Sequence, residues 1–467
     1  MTDYQLLIDG ELVDSPQTME VVNPATEEII AKCPRGTKEL ADKAIAAAKK
    51  AFPAWSKKPL KERAALLNKL ADAMDEHSGE LTATLTREQG KPLAEAEQEI
   101  QFAIIFVRYF AAQDIPVKHL KDDENCRIEE HHLPLGVVGG IIPWNFPVLV
   151  MMAKLPPALL AGNTIVLKPS PTTPLGSLRI CELAKDIFPA GVVNIITDQN
   201  DLGSYLTQHP DVAKISFTGS VATGKKVMES TAATLKRITL ELGGNDPGII
   251  LDDVNVDEVA QKVFAAAFVN CGQVCLALKR IYIHESIYEE LCNKLVEHAK
   301  AAIVDDGSLQ GTTIGPLQNK NQYEKVQAFL EQAKRDGNVA TGGEVMERAG
   351  FFIQPTIIRD IEDGAQIVDE EQFGPILPLV KYKNLDEVID RINASEYGLG
   401  ASVWSSDVDK AQDIAKRVVA GTVWVNQHFA MSPDVPFGGA KSSGIGVEFA
   451  EEGLAEYTQR QIINVAK

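Results

Sequence analysis

Two cysteines lie four residues apart in the segment FVNCGQVCLALKR, which runs from Phe268 to Arg280. A metal site needs two further ligands, and this spacing is loose for zinc, so the pair predicts no metal site. The helical pattern that precedes the segment stops at Gly272 and leaves Cys275 on an irregular turn, where a thiol near free backbone N–H groups can act as a nucleophile. Cys271 ends the helical pattern and is expected to pack as a small apolar side chain.

Three polar residues at the ends of apolar segments are further candidates. Glu241 alternates with apolar residues in RITLELGGN, so it either faces water or acts as a general base in a desolvated cleft. Asn145 lies between aromatic residues and prolines in IIPWNFP, where its amide either forms a turn or donates to a developing oxyanion. Lys168 ends the apolar run NTIVLKPS and lies either in water or in the ligand crevice at the carboxyl edge of a parallel sheet.

A glycine-bounded turn lies in KISFTGSVATGKKVMES, where the pattern predicts a strand, a turn between Gly219 and Gly224, and a helix. The free N–H groups and the positive end of the helix dipole at such a turn suit a pyrophosphate. The usual G-x-G-x-x-G spacing is absent, so an ordinary strand-to-helix turn remains the alternative.

Short apolar runs that alternate with helical segments must position these residues. Such runs begin at Gly136, as in GVVGGII, NTIVLKP, KISFTG and ITLELGG, and the alternation resumes after Asn245. This pattern predicts βαβ units and parallel sheets with helices on both faces. The expected fold class is therefore α/β, with two parallel-sheet domains whose boundary lies near Gly243 and Gly244.

The rest of the chain follows other patterns. LLIDGELV predicts a hairpin with its turn at Asp9 and Gly10, and apolar residues at three- and four-residue spacing then predict a mainly helical N-terminal third. Between Ile115 and Pro134 the charged stretch IPVKHLKDDENCRIEEHHLP is extended, and it is either a loop or an arm that reaches another subunit.

Composition excludes several classes of partner. The 467 residues are 45% apolar and 24% charged, and their net charge of -19 argues against nucleic acid or an anionic membrane surface. The most apolar segment, from Pro147, is interrupted by Lys154 and by Pro156 and Pro157, so no membrane crossing is expected. The N-terminus MTDYQLLIDGELV lacks the pattern of a secretion signal. The six cysteines in so long a chain are expected to be free thiols. Both observations favour a location in the cytoplasm.

Six motifs give the sequence a family resemblance. PWNFP, KPS, FTGS, LELGG followed by GQVC, EEQFGP and FGGAKSSGIGVE occur in the order seen in the aldehyde dehydrogenase superfamily, and the chain resembles that superfamily over nearly its whole length. The resemblance implies that Cys275 attacks an aldehyde and that the Asn145 side chain and the Cys275 N–H form the oxyanion hole. It also implies that Glu241 activates the water that hydrolyses the thioester formed from a thiohemiacetal, giving a carboxylic acid.

The resemblance also implies a nicotinamide cofactor, NAD(P), and residues that bind it. These residues are Trp144, Lys168, Ser170, Gly219, Ser220, Glu371 and Phe373. Pro171 stands where many members that prefer NAD have a glutamate for the ribose hydroxyls, and we expect NAD to be preferred with measurable use of NADP. Asn245 and Asp246 replace a common Lys-Ser pair, a change that the sequence does not explain.

By the same resemblance, six residues lie near the substrate. They are Phe146, Val150, Val274, Leu276, Phe429 and Met431. All are apolar, with no arginine to pair a second carboxylate, so an apolar or aromatic aldehyde is expected. Ala153 stands where several members have a tryptophan, which predicts a wider substrate tunnel.

The implied architecture has a cofactor-binding domain, a catalytic domain and a small β arm for oligomerisation. We assign residues 1–114 and 134–243 to the first, 244–436 to the second, and 115–133 with 437–467 to the arm and C-terminal segment, with a homodimer or homotetramer expected. A CoA-acylating member of the same fold is the nearest alternative, although Glu241 argues against it because transfer to CoA needs no activated water. A binding or structural protein that retained the fold without the chemistry is the other alternative.

Overall fold

The structure is a computed structural model that describes residues 4–467. The first three residues, part of the stretch assessed for a secretion signal, lie outside the described residues. The α-helices are α1 (Lys38–Ser56), α2 (Leu60–Glu76), α3 (Ser78–Gln89), α4 (Leu93–Ala111), α5 (Pro147–Leu160), α6 (Leu175–Lys185), α7 (Gly203–Gln208), α8 (Val221–Thr231), α9 (Val256–Phe268), α10 (Tyr288–Ala301), α11 (Lys320–Asp336), α12 (Gln366–Asp369), α13 (Leu385–Ala394), α14 (Val408–Ala415) and α15 (Ala450–Ala455).

The strands form two large sheets, one small sheet and two hairpins. The strands are β1 (Leu6–Ile8), β2 (Glu11–Val13), β3 (Gln17–Val22), β4 (Ile29–Arg35), β5 (Lys118–Asp122), β6 (Cys126–Pro134), β7 (Val137–Ile141), β8 (Thr164–Lys168), β9 (Val193–Ile195), β10 (Val212–Thr218), β11 (Arg237–Glu241), β12 (Asp246–Ile250), β13 (Leu278–His284), β14 (Asn338–Thr341), β15 (Thr356–Ile361), β16 (Ile376–Tyr382), β17 (Gly400–Trp404), β18 (Thr422–Val425), β19 (Gly444–Ile445) and β20 (Thr458–Ala466).

Both large sheets are mainly parallel, which confirms the predicted α/β class. The six-stranded sheet has the order β19-β11-β10-β7-β8-β9, and the seven-stranded sheet has the order β14-β15-β16-β13-β12-β17-β18. Only the edge strands β19 and β14 pair antiparallel with their neighbours among the described strands of these two sheets. Inner strands such as β7, β8 and β12 are buried throughout, which explains why their sequences are continuous apolar runs.

Two separate apolar cores accompany the two sheets. Most buried residues of the first core lie in the chain up to Leu242, and the second core begins at Ile249. Later segments also contribute to the first core, with Val274, Leu276, Ala277, Leu399 and Trp424. The chain returns to the first core near its end, because β19 pairs with β11 at the edge of the six-stranded sheet.

The N-terminal region contains the predicted hairpin and the predicted helices. β1 and β2 pair antiparallel across a turn at Asp9 and Gly10, whose φ angles of 51° and 78° are those of the tight turn that favours Asp-Gly. A second hairpin, β3 with β4, was not predicted. Helices α1 to α4 follow it.

The charged stretch between the helices and the first large sheet forms two strands rather than a loop. β5 and β6 pair antiparallel, and β20 from the C-terminus pairs along the other side of β6, from Thr458 opposite Pro134 to Ala466 opposite Cys126. β5 and nearly all of β20 are exposed. Within residues 4–467, no helix is long and apolar enough to cross a membrane.

Candidate active site

Parallel pairing brings several predicted site residues to one edge of the six-stranded sheet. Ile141 of β7 lies opposite Phe217 of β10, and Thr218 lies opposite Glu241 of β11, so these three strands end side by side. The segments that follow them begin with Ile142, Gly219 and Leu242, and carboxyl ends of parallel strands are where ligands bind in open α/β sheets. The PWNFP, FTGS and LELGG motifs therefore meet at one cleft.

The nucleophile candidate lies on a turn before β13, as the sequence predicted, but the helix before it ends earlier than predicted. α9 stops at Phe268 rather than at Gly272. Asn270, Cys271 and Gly272 have positive φ angles of 49°, 57° and 71°, which end the helix. A Cβ on Gly272 would lie 2.4 Å from the backbone oxygen of Gly374, so close packing against a distant segment requires glycine here.

The two cysteines differ in exposure. Cys271 is 1% exposed and packs in the second core, as expected, whereas Cys275 is only partly buried and lines the cleft. Burial raises the pKa of the Cys275 thiol to about 12, and the nearby Lys279 ammonium opposes that rise. The thiol is therefore protonated in the free protein at neutral pH, and attack on a carbonyl requires its deprotonation.

The Asn145 amide is tied to the nucleophile turn. Its Nδ2 donates to the backbone oxygen of Gln273 at 2.9 Å. Its own backbone oxygen accepts hydrogen bonds from Lys91 Nζ and from Asn270 Nδ2, each at 3.0 Å. One of the two N–H groups of the amide is thus occupied by the turn, and the second remains for an oxygen in the cleft.

Glu241 is 4% exposed, so the alternative in which it faces water is wrong. Neither carboxylate oxygen has a hydrogen-bond partner. Burial raises the pKa of Glu241 well above its usual range, and Glu448 adds to the rise while Lys154 opposes it. Lys154 Nζ donates to Glu448 at 2.5 Å and to Ser216 at 3.1 Å, so a buried ion pair lies behind the carboxylate.

The cleft has a volume of about 620 Å³, including its open mouth. It is lined by Pro143, Trp144, Asn145, Thr218, Gly219, Ser220, Leu242, Gly243, Cys275, Gln322, Lys325, Glu371 and Phe373. Five of the seven residues predicted to bind a cofactor are in this set, and the exceptions are Lys168 and Ser170. Ser220 caps α8 by accepting a hydrogen bond from the N–H of Thr223 at 3.3 Å.

Lys168 is buried at 4% exposure, so the alternative of a strand end in water is wrong. Its ammonium lies 2.7 Å from Asp198 Oδ1. Asp198 was not predicted as a site residue, because it is distant in sequence and no local pattern marks it. Ser170 lies two residues farther along, with its hydroxyl 3.2 Å from that of Thr172.

The six residues predicted to lie near the substrate fall into two groups. Phe146, Val150, Phe429 and Met431 are partly exposed and pack against the first core, and the Phe146 and Phe429 rings are 6.3 Å apart. The other two, Val274 and Leu276, are each 2% exposed. Ala153, where a wider tunnel was expected, is itself 3% exposed.

Comparison with known proteins agrees with this arrangement. The sequence model described as the aldehyde dehydrogenase family matches residues 12–463. The chain belongs to the aldehyde dehydrogenase family. It is therefore an oxidoreductase that acts on aldehyde groups, and membership of the family supports use of NAD(P).

Curated relatives and solved structures of aldehyde dehydrogenases cover almost the whole chain. Aldehyde dehydrogenase 1A1 of Gallus gallus is 40% identical over 473 residues, which cover 99% of this chain and 93% of the relative. Retinaldehyde dehydrogenase 3 of Homo sapiens is 40% identical, with 95% and 88% covered. The NAD+ complex of aldehyde dehydrogenase from Bacillus cereus superimposes with a TM-score of 0.97 at 38% identity, with 99% and 96% covered. Betaine aldehyde dehydrogenase from Staphylococcus aureus in complex with NAD+ gives 0.96 at 34% identity, with 99% and 95% covered.

Some charged residues around the site of this aldehyde dehydrogenase were missed by the sequence analysis. Lys154 and Lys279 are both buried. Lys154 is a lone lysine in an apolar run, a signal that could have marked it, whereas Lys279 is followed directly by Arg280 and has no such signal. Asp246 is also buried, and its Oδ1 accepts a hydrogen bond from the N–H of Gly400 at 3.0 Å. Asn245 Nδ2 donates to the backbone oxygen of Val368 at 2.9 Å, so this unexplained pair joins β12 to two distant segments.

Proposed function

We propose that this chain oxidises aldehydes hydrolytically, with Cys275 as the nucleophile, Glu241 as the base that activates water, and Asn145 as an oxyanion donor. The observation that carries this proposal is a thiol facing the cleft together with a buried carboxylate whose oxygens have no hydrogen-bond partner. A carboxylate that is free of partners and has a raised pKa is suited to accept a proton near neutral pH.

The reaction begins when the Cys275 thiol loses its proton to water and the sulfur attacks the aldehyde carbon, so that the aldehyde oxygen becomes negatively charged. The second N–H of the Asn145 amide and the backbone N–H of Cys275 are the donors proposed for that oxygen. After oxidation of the former aldehyde carbon, the acyl group is a thioester on Cys275. Glu241 then takes a proton from a water molecule, whose oxygen attacks the thioester and releases the carboxylic acid. The proton held by Glu241 passes to the leaving Cys275 sulfur, which restores the thiol and the carboxylate.

The shape and charge of the cleft fit NAD(P). The first turn of α8 carries no acidic residue, so its free N–H groups can receive a pyrophosphate near Gly219 and Ser220. A Cβ on Gly243 would lie 2.4 Å from Glu371 Oε2, so glycine lets that carboxylate, proposed to hold a ribose, approach the floor of the cleft. A nicotinamide held by these residues would supply the acceptor for the hydride that leaves the former aldehyde carbon.

We propose NAD as the preferred cofactor, with measurable use of NADP. Pro171 supplies no carboxylate to bind the ribose hydroxyls or to repel a 2′-phosphate. Lys168, paired with Asp198, is proposed to lie at the adenosine ribose, and Ser170 near it. The Trp144 and Phe373 rings, 5.3 Å apart at the cleft, support the positions proposed for them beside the cofactor.

The proposed substrate is an apolar or aromatic aldehyde. Phe146, Val150, Phe429 and Met431 offer apolar surface that is partly exposed, and these side chains cannot pair a second carboxylate of a substrate. Val274 and Leu276 flank the nucleophile and are proposed to complete this wall.

We also propose that the three-stranded sheet joins subunits in a homodimer or homotetramer. Ile462, Ile463 and Val465 of β20 are 49%, 40% and 42% exposed, which is much apolar surface for a strand at the edge of a sheet. The proposed division into domains follows the boundary at residues 243–244, and the proposed location is the cytoplasm, which the six free cysteines support.

A panel of aldehydes tested with the purified protein and each cofactor examines this function. We expect NAD(P)H and free carboxylic acid to form in equal amounts without CoA, fastest with apolar or aromatic aldehydes. A requirement for CoA, with acyl-CoA as product, would contradict the hydrolytic mechanism. Light scattering of the same sample measures the oligomeric state.

A further inference from the structure

A buried lysine lies directly beneath the nucleophile turn. Lys279, on β13, is 1% exposed. Its ammonium donates to the backbone oxygens of Val274 and, at 3.3 Å, of Cys275, and it lies 3.7 Å from Glu371 Oε1. None of the reaction steps proposed above uses this side chain, although it contacts the nucleophile's own peptide groups.

The geometry of a peptide group links Lys279 to the proposed oxyanion hole. The peptide between Val274 and Cys275 is trans, so the carbonyl of Val274 and the N–H of Cys275 point in opposite directions. Because the buried ammonium of Lys279 holds that carbonyl, the N–H of Cys275 must point away from the ammonium. This N–H is the second donor proposed for the oxyanion. The ammonium of Lys279 and the N–H of Ala277, which donates to the same Val274 oxygen at 3.1 Å, together hold its direction.

The positive charge of Lys279 is its second link to the nucleophile. Glu371, Asp246 and Glu241 lie near Cys275, and in their ionised forms they raise the pKa of its thiol. Burial raises the pKa of Asp246 to about 7 and that of Glu241 well above its usual range, so their charge increases with pH. The charge of Lys279 lowers the pKa of the same thiol and so opposes them. In a site largely shielded from water these interactions are stronger than at the surface.

Two further titratable groups contact the turn. The Glu95 carboxylate accepts a hydrogen bond from the backbone N–H of Asn270 at 2.9 Å, and burial raises its pKa to about 7. The second group, His428, is neutral. His428 Nε2 donates to the backbone oxygen of Leu276 at 2.7 Å and lies 3.6 Å from Asp246 Oδ2. Burial lowers the pKa of His428 to about 3, so the ring carries no charge at neutral pH. Lys325 lines the same cleft and donates to the backbone oxygen of Glu371 at 3.1 Å, whereas Lys279 is the lysine that contacts the nucleophile's own peptide groups.

We propose that Lys279 is a positioning residue in the proposed oxidation. Lys279 orients the Val274–Cys275 peptide so that the Cys275 N–H faces the oxyanion, and its positive charge stabilises the Cys275 thiolate. This inference rests on the proposed function. A neutral side chain at position 279 would leave the Val274 oxygen with only the N–H of Ala277, at 3.1 Å, as its donor and would remove the ammonium that donates to the Cys275 oxygen. It would also remove the positive charge that opposes the rise in the pKa of the Cys275 thiol.

Alkylation of Cys275 by iodoacetamide, followed by intact mass from pH 7 to 9, tests the charge without aldehyde or cofactor. A facing charge shifts a pKa by about 1–3 units, so K279M should alkylate at least about tenfold more slowly at each pH below the thiol pKa. K279R, which keeps the charge, should be faster than K279M. In rapid mixing with aldehyde and NAD+, K279M should also lose about 10²-fold or more in the first turnover, the effect of one oxyanion donor.

Lys214→Met is the matched control, because Lys214 is another fully buried lysine, which donates to Thr239 Oγ1 at 2.6 Å away from the nucleophile turn. Its alkylation profile should match that of the wild type. If K279M does not fold, K279Q, which keeps a donor but no charge, is measured in its place.

Two results would overturn the role of Lys279: unchanged alkylation in folded K279M, or a K279R that is no faster than K279M. Failure of the proposed function looks different, since the wild-type protein would then form no NAD(P)H with any aldehyde, or would keep that activity in C275A. The alkylation rate depends on neither result.

Discussion

Replacing Glu241 by glutamine removes a charge while nearly preserving the shape of the side chain. Both carboxylate oxygens lack hydrogen-bond partners and the side chain is 4% exposed, so Glu241→Gln breaks no hydrogen bond made by the carboxylate and leaves no cavity. The variant should therefore fold. What it loses is the ability to take a proton from water.

The expected effect is on one step of turnover. A general base contributes about 10²- to 10⁴-fold, which is about 2.7–5.5 kcal/mol at 1.36 kcal/mol for each tenfold change. Because attack by Cys275 and oxidation precede the step that needs water, the first turnover should remain fast. Rapid mixing should show a burst of close to one equivalent of NAD(P)H for each active site, followed by a slow steady rate, with an acyl group visible on Cys275 by intact mass.

The pH dependence follows from the raised pKa of Glu241. Only the ionised carboxylate accepts a proton, so the wild-type steady rate should fall as the pH drops through that pKa, well above the usual range of a glutamate. Glu241→Gln should lack this acid limb. The pKa of Glu241 is higher in the folded protein than in the unfolded chain, so the folded wild type loses stability as the pH rises above the pKa of the unfolded chain. Glutamine does not ionise, so the variant should unfold at no lower temperature than the wild type at pH 8.

Hydroxylamine provides the control for the Glu241→Gln experiment. It attacks a thioester without a general base, so it should restore the steady rate of the variant and release the acyl group from Cys275. Loss of the burst together with the steady rate would mean that Glu241 acts before oxidation, for instance on the thiol. Full activity in the variant would refute its role as the base.

Three further variants test the remaining assignments. Cys275→Ala should abolish oxidation while cofactor binding, measured by calorimetry, stays near that of the wild type, and the buried Cys271→Ala should remain active; equal loss in both would refute the choice of nucleophile. Pro171→Glu should lower kcat/KM for NADP more than for NAD. A strong preference of the wild type for NADP would show that residues other than Pro171 determine the choice of cofactor. Gly243→Ala should displace Glu371, because the added Cβ would lie 2.4 Å from its carboxylate, and should raise KM for the cofactor.

Features that depend on neighbours in the chain could be predicted from the sequence. Apolar runs such as NTIVLKP and KISFTG became β8 and β10, because strands buried on both faces need continuous apolar side chains. The Asp9-Gly10 turn was predicted because its positive φ angles favour those two residues. The motifs also identified the family, and the break after the helical pattern predicted a turn at Cys275.

Other features depended on segments distant in the chain. α9 ends at Phe268 because the turn that follows packs against Gly374, a contact that no local pattern records. Strand alternation gave Glu241 a face of the sheet, but only the tertiary structure determined that this face is covered and that Glu448 and Lys154 lie close to it.

Sequence by itself thus determined which residue types are available for chemistry and where the chain forms strands, helices and turns, because those properties arise from local backbone preferences and periodic burial. Only the tertiary structure decided their ionisation and partners. The ion pair of Lys168 with Asp198 and the position of Lys279 beneath Cys275 arise from packing between segments that are distant in the chain. The electrostatic energy of a buried charge depends on the groups that the fold brings within a few ångströms of it.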